Sequence, residues 1–360
     1  MKAAVCYEFG KPLAIDQVAI DAPQAGEVRV DVQAVAICHS DIHLIDGDWF
    51  GRLPMVAGHE AAGIVESVGP GVEDVQPGER VVVSLLRSCG RCRACQAGAA
   101  HMCEDRHRLA PYDRLTTLDG RPVAAGLGVG GFAEQVVVHR SQVVPVPDTL
   151  AWETACLLAC GVITGVGAVL NTARVRPGES VVVVGCGGVG LNTIQGAALS
   201  GAYPVVALDL LPTKLEAAKA FGATHTVLAA DPDMATKAVR DLTEDRGADA
   251  AFVTVGAAAA AKQALGLVAD RGSVILVGIP KWTETLPLPM AACVARELKL
   301  VGSMMGSACL ATDVPKLVKL YEAGRLKLDE LVTGRYTLDD INEAVASTRS
   351  GAALRNVIVL

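Results

Sequence analysis

One segment, residues 181–199, constrains the fold more than any other part of the sequence. It begins with four consecutive valines, Val181–Val184, and ends in an apolar run with helical character. Between them Gly185, Gly187 and Gly190 have G-x-G-x-x-G spacing. A buried strand, a tight glycine turn and a helix in this order are typical of the first unit of a sheet that binds a dinucleotide.

The sequence around this segment extends the same pattern. Apolar runs alternate with helical runs from about Ser180, which predicts a parallel, doubly wound Rossmann sheet, an α/β fold. The predicted strands are Val181–Gly185, Val205–Asp209, Thr224–Leu228, Ala250–Thr254, Val274–Val277 and Leu298–Gly302. Strong helix formers fill 213–221 and 257–269, and Gly222 and Gly272 are placed as helix stops.

The first part of the chain has a different pattern of apolar residues and turns. Up to about Val146 it carries short valine-rich runs, such as Val28–Val35 and Arg80–Leu85, separated by Gly and Pro turns, which predicts a mainly-β domain. Two domains are also what 360 residues predict. The expected division is 1–152, 153–295 and 296–360, where the last part holds the final Rossmann strand and returns to the first domain.

Composition narrows the classes of function. Hydrophobic residues make up 51% and charged residues 20%, as in a packed globular protein. A net charge of -7 favours neither nucleic acid nor an anionic membrane as a partner. The first 15 residues contain Glu8 and Lys11 and do not resemble a secretory signal, so we expect a cytoplasmic protein whose 11 cysteines are thiols or metal ligands.

An acidic residue indicates which dinucleotide is bound. Asp209 ends the predicted strand that follows the glycine turn, 19 residues beyond Gly190. Its carboxylate can accept hydrogen bonds from an adenosine ribose and would repel a 2′-phosphate, which favours NAD over NADP. Lys214, one helical turn further on, is a candidate for a contact to the same ribose, and Gly188 and Val189 are candidates for contacts in the turn itself.

Four cysteines form a local cluster. Cys89, Cys92, Cys95 and Cys103 have C-x2-C-x2-C-x7-C spacing within 15 residues. Four thiolates can close a tetrahedral shell around zinc, which predicts a structural zinc site that contributes to folding. An iron–sulfur cluster is the competing interpretation.

Three further motifs lie apart in the sequence: C-H-S-D-I-H at 38–43, G-H-E at 58–60, and Cys160-Gly161 followed by Thr164-Gly165. With the cysteine loop and the glycine turn, they resemble the zinc-containing medium-chain alcohol dehydrogenases in order and spacing over essentially the whole chain. The resemblance implies that the first domain is a GroES-like catalytic domain with both zinc sites and that the second is an NAD-binding Rossmann domain.

The resemblance also implies a reaction. In that family the residues that match Cys38, His59 and Cys160 bind the catalytic zinc and leave one coordination position open. The expected activity is interconversion of primary or secondary alcohols with aldehydes or ketones, by hydride transfer from a zinc-bound alkoxide to NAD. Asp41 matches a carboxylate that orients His59, and Glu60 matches an occasional extra ligand.

Two residues match a proton relay. Ser40 stands at the family hydroxyl that takes the alcohol proton, and His43 at the histidine that passes it to solvent through the cofactor ribose. His39 and Arg355 match contacts to the cofactor phosphates, and Thr164 matches a contact to the nicotinamide edge. Val277, at the end of a predicted strand, is a further cofactor candidate.

The family positions that line the substrate channel carry apolar residues here, Trp49, Leu85 and Phe132, which favours an uncharged alcohol or aldehyde. The family forms homodimers or homotetramers, commonly through the edge of the Rossmann sheet around Leu288–Gly302. Two zinc ions per chain and NAD(H) are the expected cofactors.

Other functions remain open at this point. A zinc-stabilised dinucleotide sensor would bind the cofactor without turnover. A zinc-free quinone reductase of the same superfamily would lack Cys38, His59 and the cysteine loop. Cys160 and the cysteine loop argue against a polyol dehydrogenase, and Trp49 stands where glutathione-dependent formaldehyde dehydrogenases usually have an acidic residue.

Overall fold

The computed structural model describes residues 1–110 and 114–360. The chain divides into two compact units. The first unit contains Met1–Gly161 and Cys309–Leu360, and the second contains Val162–Ala308. Each unit has its own sheets and its own hydrophobic core.

The strands are β1 Lys2–Cys6, β2 Ala14–Ile20, β3 Glu27–Ala36, β4 Met55–Val56, β5 Glu60–Val68, β6 Arg80–Val83, β7 Leu115–Thr117, β8 Pro122–Ala125, β9 Gln135–His139, β10 Val143–Pro145, β11 Val181–Val184, β12 Val205–Asp209, β13 His225–Leu228, β14 Ala248–Val253, β15 Val268–Leu276, β16 Lys299–Gly302, β17 Val332–Tyr336 and β18 Arg355–Val359. The α-helices are α1 His39–Ile45, α2 Arg93–Gln96, α3 Trp152–Ala155, α4 Gly161–Gly167, α5 Gly188–Leu199, α6 Pro212–Ala220, α7 Pro232–Leu242, α8 Ala258–Leu267, α9 Met290–Ala295, α10 Leu310–Glu322 and α11 Ile341–Ser350. Shorter 3-10 helices span Ala100–Met102, Gly126–Gly128, Arg140–Gln142, Cys156–Ala159, Met305–Ser307, Asp329–Leu331 and Leu338–Asp340, and a π-helix spans Ala168–Ala173.

The first unit is mainly β. Strands β1, β2, β7, β8 and β4 close a barrel, and a second sheet has the order β10-β6-β5-β3-β18-β17, with β9 also paired to β3. Alternate residues of β3, such as Val28, Val30 and Val32, are buried, as expected of strands that line one core. β18 pairs antiparallel with β3 and places the end of the chain in this unit.

The second unit is a parallel sheet with the strand order β13-β12-β11-β14-β15-β16. Every pairing along this order is parallel, and the valines of β11 are buried between neighbours on both sides. β11 lies where the order reverses direction, the position at which such sheets bind ligands beyond their carboxyl ends. The predicted fold class, Rossmann sheet plus GroES-like β domain, is confirmed.

One local prediction was wrong. Helix α8 ends at Leu267, and β15 begins directly at Val268, so the helix does not continue to Ala269 and Gly272 does not stop it. Gly272 lies inside β15, where the register with β14 shifts. A Cβ at this position would lie 2.7 Å from the carbonyl oxygen of Ala269, so the close backbone contact in this irregular stretch favours glycine.

Within the described residues, no single helix has the length and apolar character needed to cross a membrane, although the bent pair Trp152–Ala159 and Gly161–Ala173 meets those two criteria when taken together.

Candidate active site and cofactor site

Three distant stretches of the first unit converge on one buried cluster. The potential ligand atoms of Cys38, His59, Glu60 and Cys160 all lie within 4.8 Å of one another. Cys38 precedes α1, and Cys160 follows the 3-10 helix Cys156–Ala159. Glu60 begins β5, and His59 comes directly before it. The fold, and not the sequence spacing, therefore creates this cluster.

Asp41 connects two of these stretches. One carboxylate oxygen accepts a hydrogen bond from the backbone N–H of Cys38 at 3.0 Å. The other accepts from the N–H of Gly58 at 3.0 Å and from Nδ1 of His59 at 2.8 Å. Asp41 and His59 are both fully buried. In the neutral ring this contact keeps the hydrogen on Nδ1 and leaves the lone pair on Nε2, the tautomer that a metal ligand needs.

The third stretch is fixed by separate contacts. The Ser84 hydroxyl donates to the carbonyl of Ala159 at 2.6 Å, next to Cys160. The N–H of Gly161 donates to Glu60 at 3.3 Å, and Nη2 of Arg355 lies 2.6 Å from the other oxygen of Glu60. Arg355 was predicted as a phosphate contact. Its guanidinium lies buried beside Glu60, and the phosphate role stays a prediction.

The charges in the cluster influence one another. The hydrogen bond with Cys160 is the largest influence that holds the pKa of Cys38 well below its ordinary value, and the same bond raises the pKa of Cys160. Burial alone would lower the pKa of His59, but Asp41 and Cys38 raise it well above its usual range. Burial raises the pKa of Glu60 to about 7 against the opposing charge of Arg355.

The residues present fit a zinc ion. Two sulfurs and one imidazole nitrogen are a donor set that zinc prefers, with a fourth position left for another ligand. The buried Nε2 of His59 has no hydrogen-bond partner within the described part of the chain, although buried polar atoms normally have one. A cation between the two sulfurs would also favour loss of the thiol proton of Cys160, whose pKa the hydrogen bond with Cys38 raises.

A second cluster is formed by the cysteine loop. The Sγ atoms of Cys89, Cys92, Cys95 and Cys103 lie within 4.8 Å of one another. Backbone N–H groups point at the sulfurs, from Cys89 to Cys103 and from Cys92 to Cys89, both at 3.3 Å. The N–H of Cys95 donates to the sulfur of Cys92 at 3.5 Å, and this bond is the largest cause that lowers the pKa of Cys92 to about 6. The loop therefore offers four sulfurs with a closed geometry, which fits a structural zinc. All 11 cysteines are described, and none forms a disulfide.

The glycine turn of the second unit has the geometry that its spacing predicts. Gly185 has a φ of +93°, and a Cβ there would lie 2.4 Å from the side chain of Val255. At Gly187 a Cβ would meet no atom within 4 Å, so the backbone faces open space. At Gly190 it would lie 1.9 Å from the carbonyl oxygen of Gly185, so only glycine allows α5 to approach β11 this closely.

The Asp209 carboxylate lies beside this turn. It accepts hydrogen bonds from the backbone N–H of Cys186 at 2.7 Å and of Leu211 at 2.9 Å. Lys214, on α6, is buried, and burial lowers its pKa against the opposing charge of Asp209. Gly188 and Val189 begin α5, and Val277 is buried directly after β15.

Comparison with known proteins identifies the family. Residues 24–148 match the alcohol dehydrogenase GroES-like domain, and residues 188–323 match the zinc-binding dehydrogenase domain. An NDMA-dependent alcohol dehydrogenase of Amycolatopsis methanolica is 38% identical over 99% of this chain and 98% of its own length. This chain belongs to the zinc-dependent medium-chain alcohol dehydrogenases.

Solved structures agree with this assignment. An alcohol dehydrogenase zinc-binding domain protein from Burkholderia ambifaria superposes with a TM-score of 0.94 at 32% identity, covering 100% of this chain and 98% of that one. Benzyl alcohol dehydrogenase from Acinetobacter calcoaceticus gives 0.91 at 31% identity, covering 100% and 99%. The chain is therefore an oxidoreductase that acts on a small-molecule alcohol and uses zinc and a nucleotide cofactor.

In this alcohol dehydrogenase, α1 carries the predicted relay residues. His39, Ser40 and His43 lie on this helix, with His39 exposed and the other two half-buried. Nδ1 of His43 lies 3.0 Å from a carboxylate oxygen of Asp48, and its ring stacks on Trp49 with centroids 5.3 Å apart. Asp48 was not predicted from the sequence.

The remaining candidates lie in different surroundings. Phe132 is fully buried in the core of the first unit, and Leu85 packs half-buried against the same core. Thr164, on α4 in the second unit, is buried with its hydroxyl 3.5 Å from the Met305 sulfur. The substrate role of Phe132 and Leu85 and the nicotinamide role of Thr164 stay predictions.

Proposed function

We propose that this alcohol dehydrogenase is NAD(H)-linked and uses two zinc ions per chain, one catalytic and one structural. The observation that carries the proposal is the convergence of Cys38, His59 and Cys160, whose ligand atoms come within 4.8 Å of one another from three separate stretches of sequence. If these were three unrelated buried residues, nothing would explain the hydrogen bond between Asp41 and His59, or why Nε2 of His59 has no hydrogen-bond partner among the described residues.

Cys38, His59 and Cys160 would hold the catalytic zinc. When bound there, zinc supplies a Lewis acid that polarises the alcohol oxygen and favours loss of its proton at neutral pH. Asp41 keeps the His59 ring in place, and Arg355 balances the negative charge of Glu60. One carboxylate oxygen of Glu60 is 2.6 Å from that guanidinium, so Glu60 would act as an extra ligand through its other oxygen or in competition with Arg355.

Ser40 and His43 would carry the alcohol proton away from the site. Ser40 would donate its own hydroxyl proton to His43 as it takes the proton of the alcohol, and His43 would then release a proton to water. The half-buried position of both residues on α1 supports this role, since a relay must touch both the protein interior and solvent. When bound, the dinucleotide would supply the nicotinamide ring as the acceptor of a hydride from the alcohol carbon.

NAD is the proposed dinucleotide. The support is Asp209, whose carboxylate is held in place by two backbone N–H groups beside the glycine turn and still has lone pairs for ribose hydroxyls. A 2′-phosphate at the same place would meet a fixed negative charge. Lys214 is close enough to Asp209 for the two charges to interact and would contact the same ribose. Gly187 and the first turn of α5 would receive the pyrophosphate.

Cys89, Cys92, Cys95 and Cys103 would bind the structural zinc. The four sulfurs leave no position for a substrate, so this zinc would stabilise the loop and take no part in turnover. The same cluster would also accommodate an iron–sulfur centre, which metal analysis distinguishes.

The proposed substrate is an uncharged primary or secondary alcohol. Trp49 and Leu85, two of the residues proposed to line the substrate channel, are half-buried and apolar, which supports an uncharged substrate. Because one structural relative is a benzyl alcohol dehydrogenase, aromatic alcohols belong in the first panel to be assayed.

The protein would act in the cytoplasm as a homodimer or homotetramer. Strand β16 is the last strand of its sheet and pairs, within the described residues, with β15 alone. Around it Met290, Val294 and Leu300 are exposed, with 76%, 79% and 41% of their surface accessible. An apolar sheet edge of this kind is commonly covered by a second copy. Sedimentation analysis of wild type and Leu300→Lys tests the assignment.

The activity assay is direct. Purified protein is given NAD or NADP with ethanol, 2-propanol and benzyl alcohol, and the absorbance of the reduced cofactor is followed. We expect turnover with NAD and much less with NADP. NDMA is tested as an alternative oxidant because the Amycolatopsis relative depends on it. No turnover under any condition, with two zinc ions bound, would instead favour a dinucleotide sensor.

A further inference from the structure

The end of helix α1 folds back over its own last turn. Gly47 follows the helix with a φ of +77°, and its N–H donates to the carbonyl of Leu44 at 3.3 Å. The N–H of Asp48 donates to the carbonyl of His43 at 2.9 Å. These two bonds and a left-handed glycine define a Schellman motif. The motif brings Asp48, the residue after the glycine, back to His43, five positions earlier in the chain.

The two side chains that follow Gly47 both reach His43. Asp48 approaches Nδ1 of the ring at 3.0 Å, and Trp49 lies parallel to the ring face, with 18° between the planes. About a fifth of each side chain in the His43–Asp48 pair is accessible, so the pair is largely shielded from water. The contact with Asp48 fixes the position of Nδ1, and the stacking on Trp49 fixes the plane of the His43 ring.

We propose that Asp48 is a positioning residue for the proton relay: its carboxylate holds His43 in the tautomer that leaves Nε2 able to accept the alcohol proton. This inference rests on the relay role proposed above for His43. A carboxylate can only accept a hydrogen bond, so the neutral ring must donate from Nδ1. Nε2 then carries the lone pair, as in a catalytic histidine whose second nitrogen is held by an aspartate.

Without Asp48, the ring would lose this constraint. A neutral imidazole can place its hydrogen on either nitrogen, and a hydrogen on Nε2 would prevent that atom from accepting a proton. Trp49 would still limit the plane of the ring but could not select the tautomer. The effect of Asp48 should therefore fall on the rate of proton removal, with little effect on cofactor binding.

A neighbouring aspartate provides a matched control. Asp46 stands two residues earlier in the same turn, but its carboxylate pairs with Arg349 of helix α11. Removal of Asp46 also deletes an acidic group close to α1, without touching the His43 ring nitrogen. Asp48→Ala, Asp48→Asn and Asp46→Ala thus separate the specific contact from the general loss of negative charge.

The first test reads the tautomer directly and needs no substrate. In protein with ¹⁵N-labelled histidine, the ring signals of His43 are found as those that disappear in His43→Ala. We expect the Nδ1–H tautomer in wild type and in Asp46→Ala, and a shift toward Nε2–H in Asp48→Ala and Asp48→Asn. An unchanged tautomer in both Asp48 variants would overturn the proposal.

The second test is a double-mutant cycle on kcat with NAD and benzyl alcohol. Asp48→Ala should lower kcat about ten-fold, with unchanged KM for NAD, zinc content and melting temperature. If Asp48 acts through His43, adding Asp48→Ala to His43→Ala should change kcat by less than about two-fold. Fully additive losses would mean that Asp48 acts elsewhere and would overturn the proposal.

The outcomes also separate this proposal from the relay itself. If His43→Ala keeps the wild-type kcat, the relay fails, and the role of Asp48 in catalysis fails with it. If His43→Ala is slow but Asp48→Ala is as fast as wild type, the relay stands and only the positioning role is wrong.

Discussion

The two clusters of potential metal ligands lie in the same unit but are built in opposite ways. Cys89, Cys92, Cys95 and Cys103 come from one loop of 15 residues, and three of them are partly accessible to solvent. The other cluster collects residues from positions 38, 59–60 and 160. Hydrogen bonds that Asp41 accepts and one that Ser84 donates fix the stretches that carry these residues. The first depends on a short stretch of chain, and the second depends on the whole fold.

This difference indicates what each metal would do. A local loop of four sulfurs gains its order from the ion, so the ion should contribute to stability. A buried cluster that the fold assembles with only three strong zinc ligands leaves a position for substrate, so the ion there should contribute to catalysis. The comparison predicts that changes at the two clusters will affect different measurements.

The largest expected effect is on activity. Cys160→Ser should remove the catalytic zinc and lower kcat/KM by about a thousand-fold or more, because the Lewis acid contributes several kcal/mol to the transition state. Zinc content should fall from two ions to one, and NAD should still bind. The control is Cys156→Ser, a buried cysteine outside the cluster whose sulfur hydrogen-bonds the carbonyl of Glu153. Equal loss of zinc in both variants would contradict the assignment.

A second change tests the charge balance of the buried cluster. Arg355→Met leaves Glu60 buried without its partner, so the free energy of unfolding should fall by about 3 to 5 kcal/mol. Chemical denaturation measures the change. Removing both charges, in Glu60→Gln with Arg355→Met, should restore most of the loss. A stability as low in the double variant as in the single one would mean that packing, and not charge, explains the effect.

At the cysteine loop the expected effect is on stability alone. Cys95→Ala should release the structural zinc and lower the free energy of unfolding by about 3 kcal/mol, while folded protein keeps its catalytic zinc. Denaturation with and without a chelator provides the measurement. Cys309→Ala changes a half-buried cysteine outside both clusters and should leave both values unaltered. A loss of kcat without a loss of stability in Cys95→Ala would reverse the proposed roles.

The smallest effect concerns the cofactor and should leave both clusters intact. Asp209→Gly removes the carboxylate beside the glycine turn, so the preference for NAD over NADP in kcat/KM should decrease by about ten-fold. Asp231 offers a matched control, because its carboxylate also accepts two backbone N–H bonds, at the start of α7. An unchanged preference in Asp209→Gly would show that the dinucleotide is recognised elsewhere.

Periodicity and spacing predicted the second unit well. The six predicted strands are present within one or two residues at most ends, because buried parallel strands form nearly continuous apolar runs. The glycine turn and the cysteine loop were also readable, since each depends on residues close together in sequence. Gly272 was misassigned because a glycine in an irregular strand and a glycine after a helix look alike in a sequence.

Contacts between residues far apart in the chain could not be predicted from the sequence pattern alone. The convergence of Cys38, His59 and Cys160 was expected only from a family resemblance, because no local pattern links positions 38 and 160. The ion pair between Arg355 and Glu60 joins β18 to β5, and no local sequence pattern in either strand predicts it. Asp48 was also missed, although a signal existed: Gly47 directly after a short helix is typical of a Schellman turn, which would bring Asp48 back toward His43.

The central claim is that one zinc ion is shared by two sulfurs and one imidazole in the first unit. Anomalous diffraction from crystals, collected on both sides of the zinc absorption edge, tests it most directly. The account predicts a zinc peak about 2.3 Å from Sγ of Cys38 and of Cys160 and about 2.0 Å from Nε2 of His59, with a second peak among the four loop cysteines. A zinc peak at the cysteine loop alone, in crystals of active protein, would contradict it.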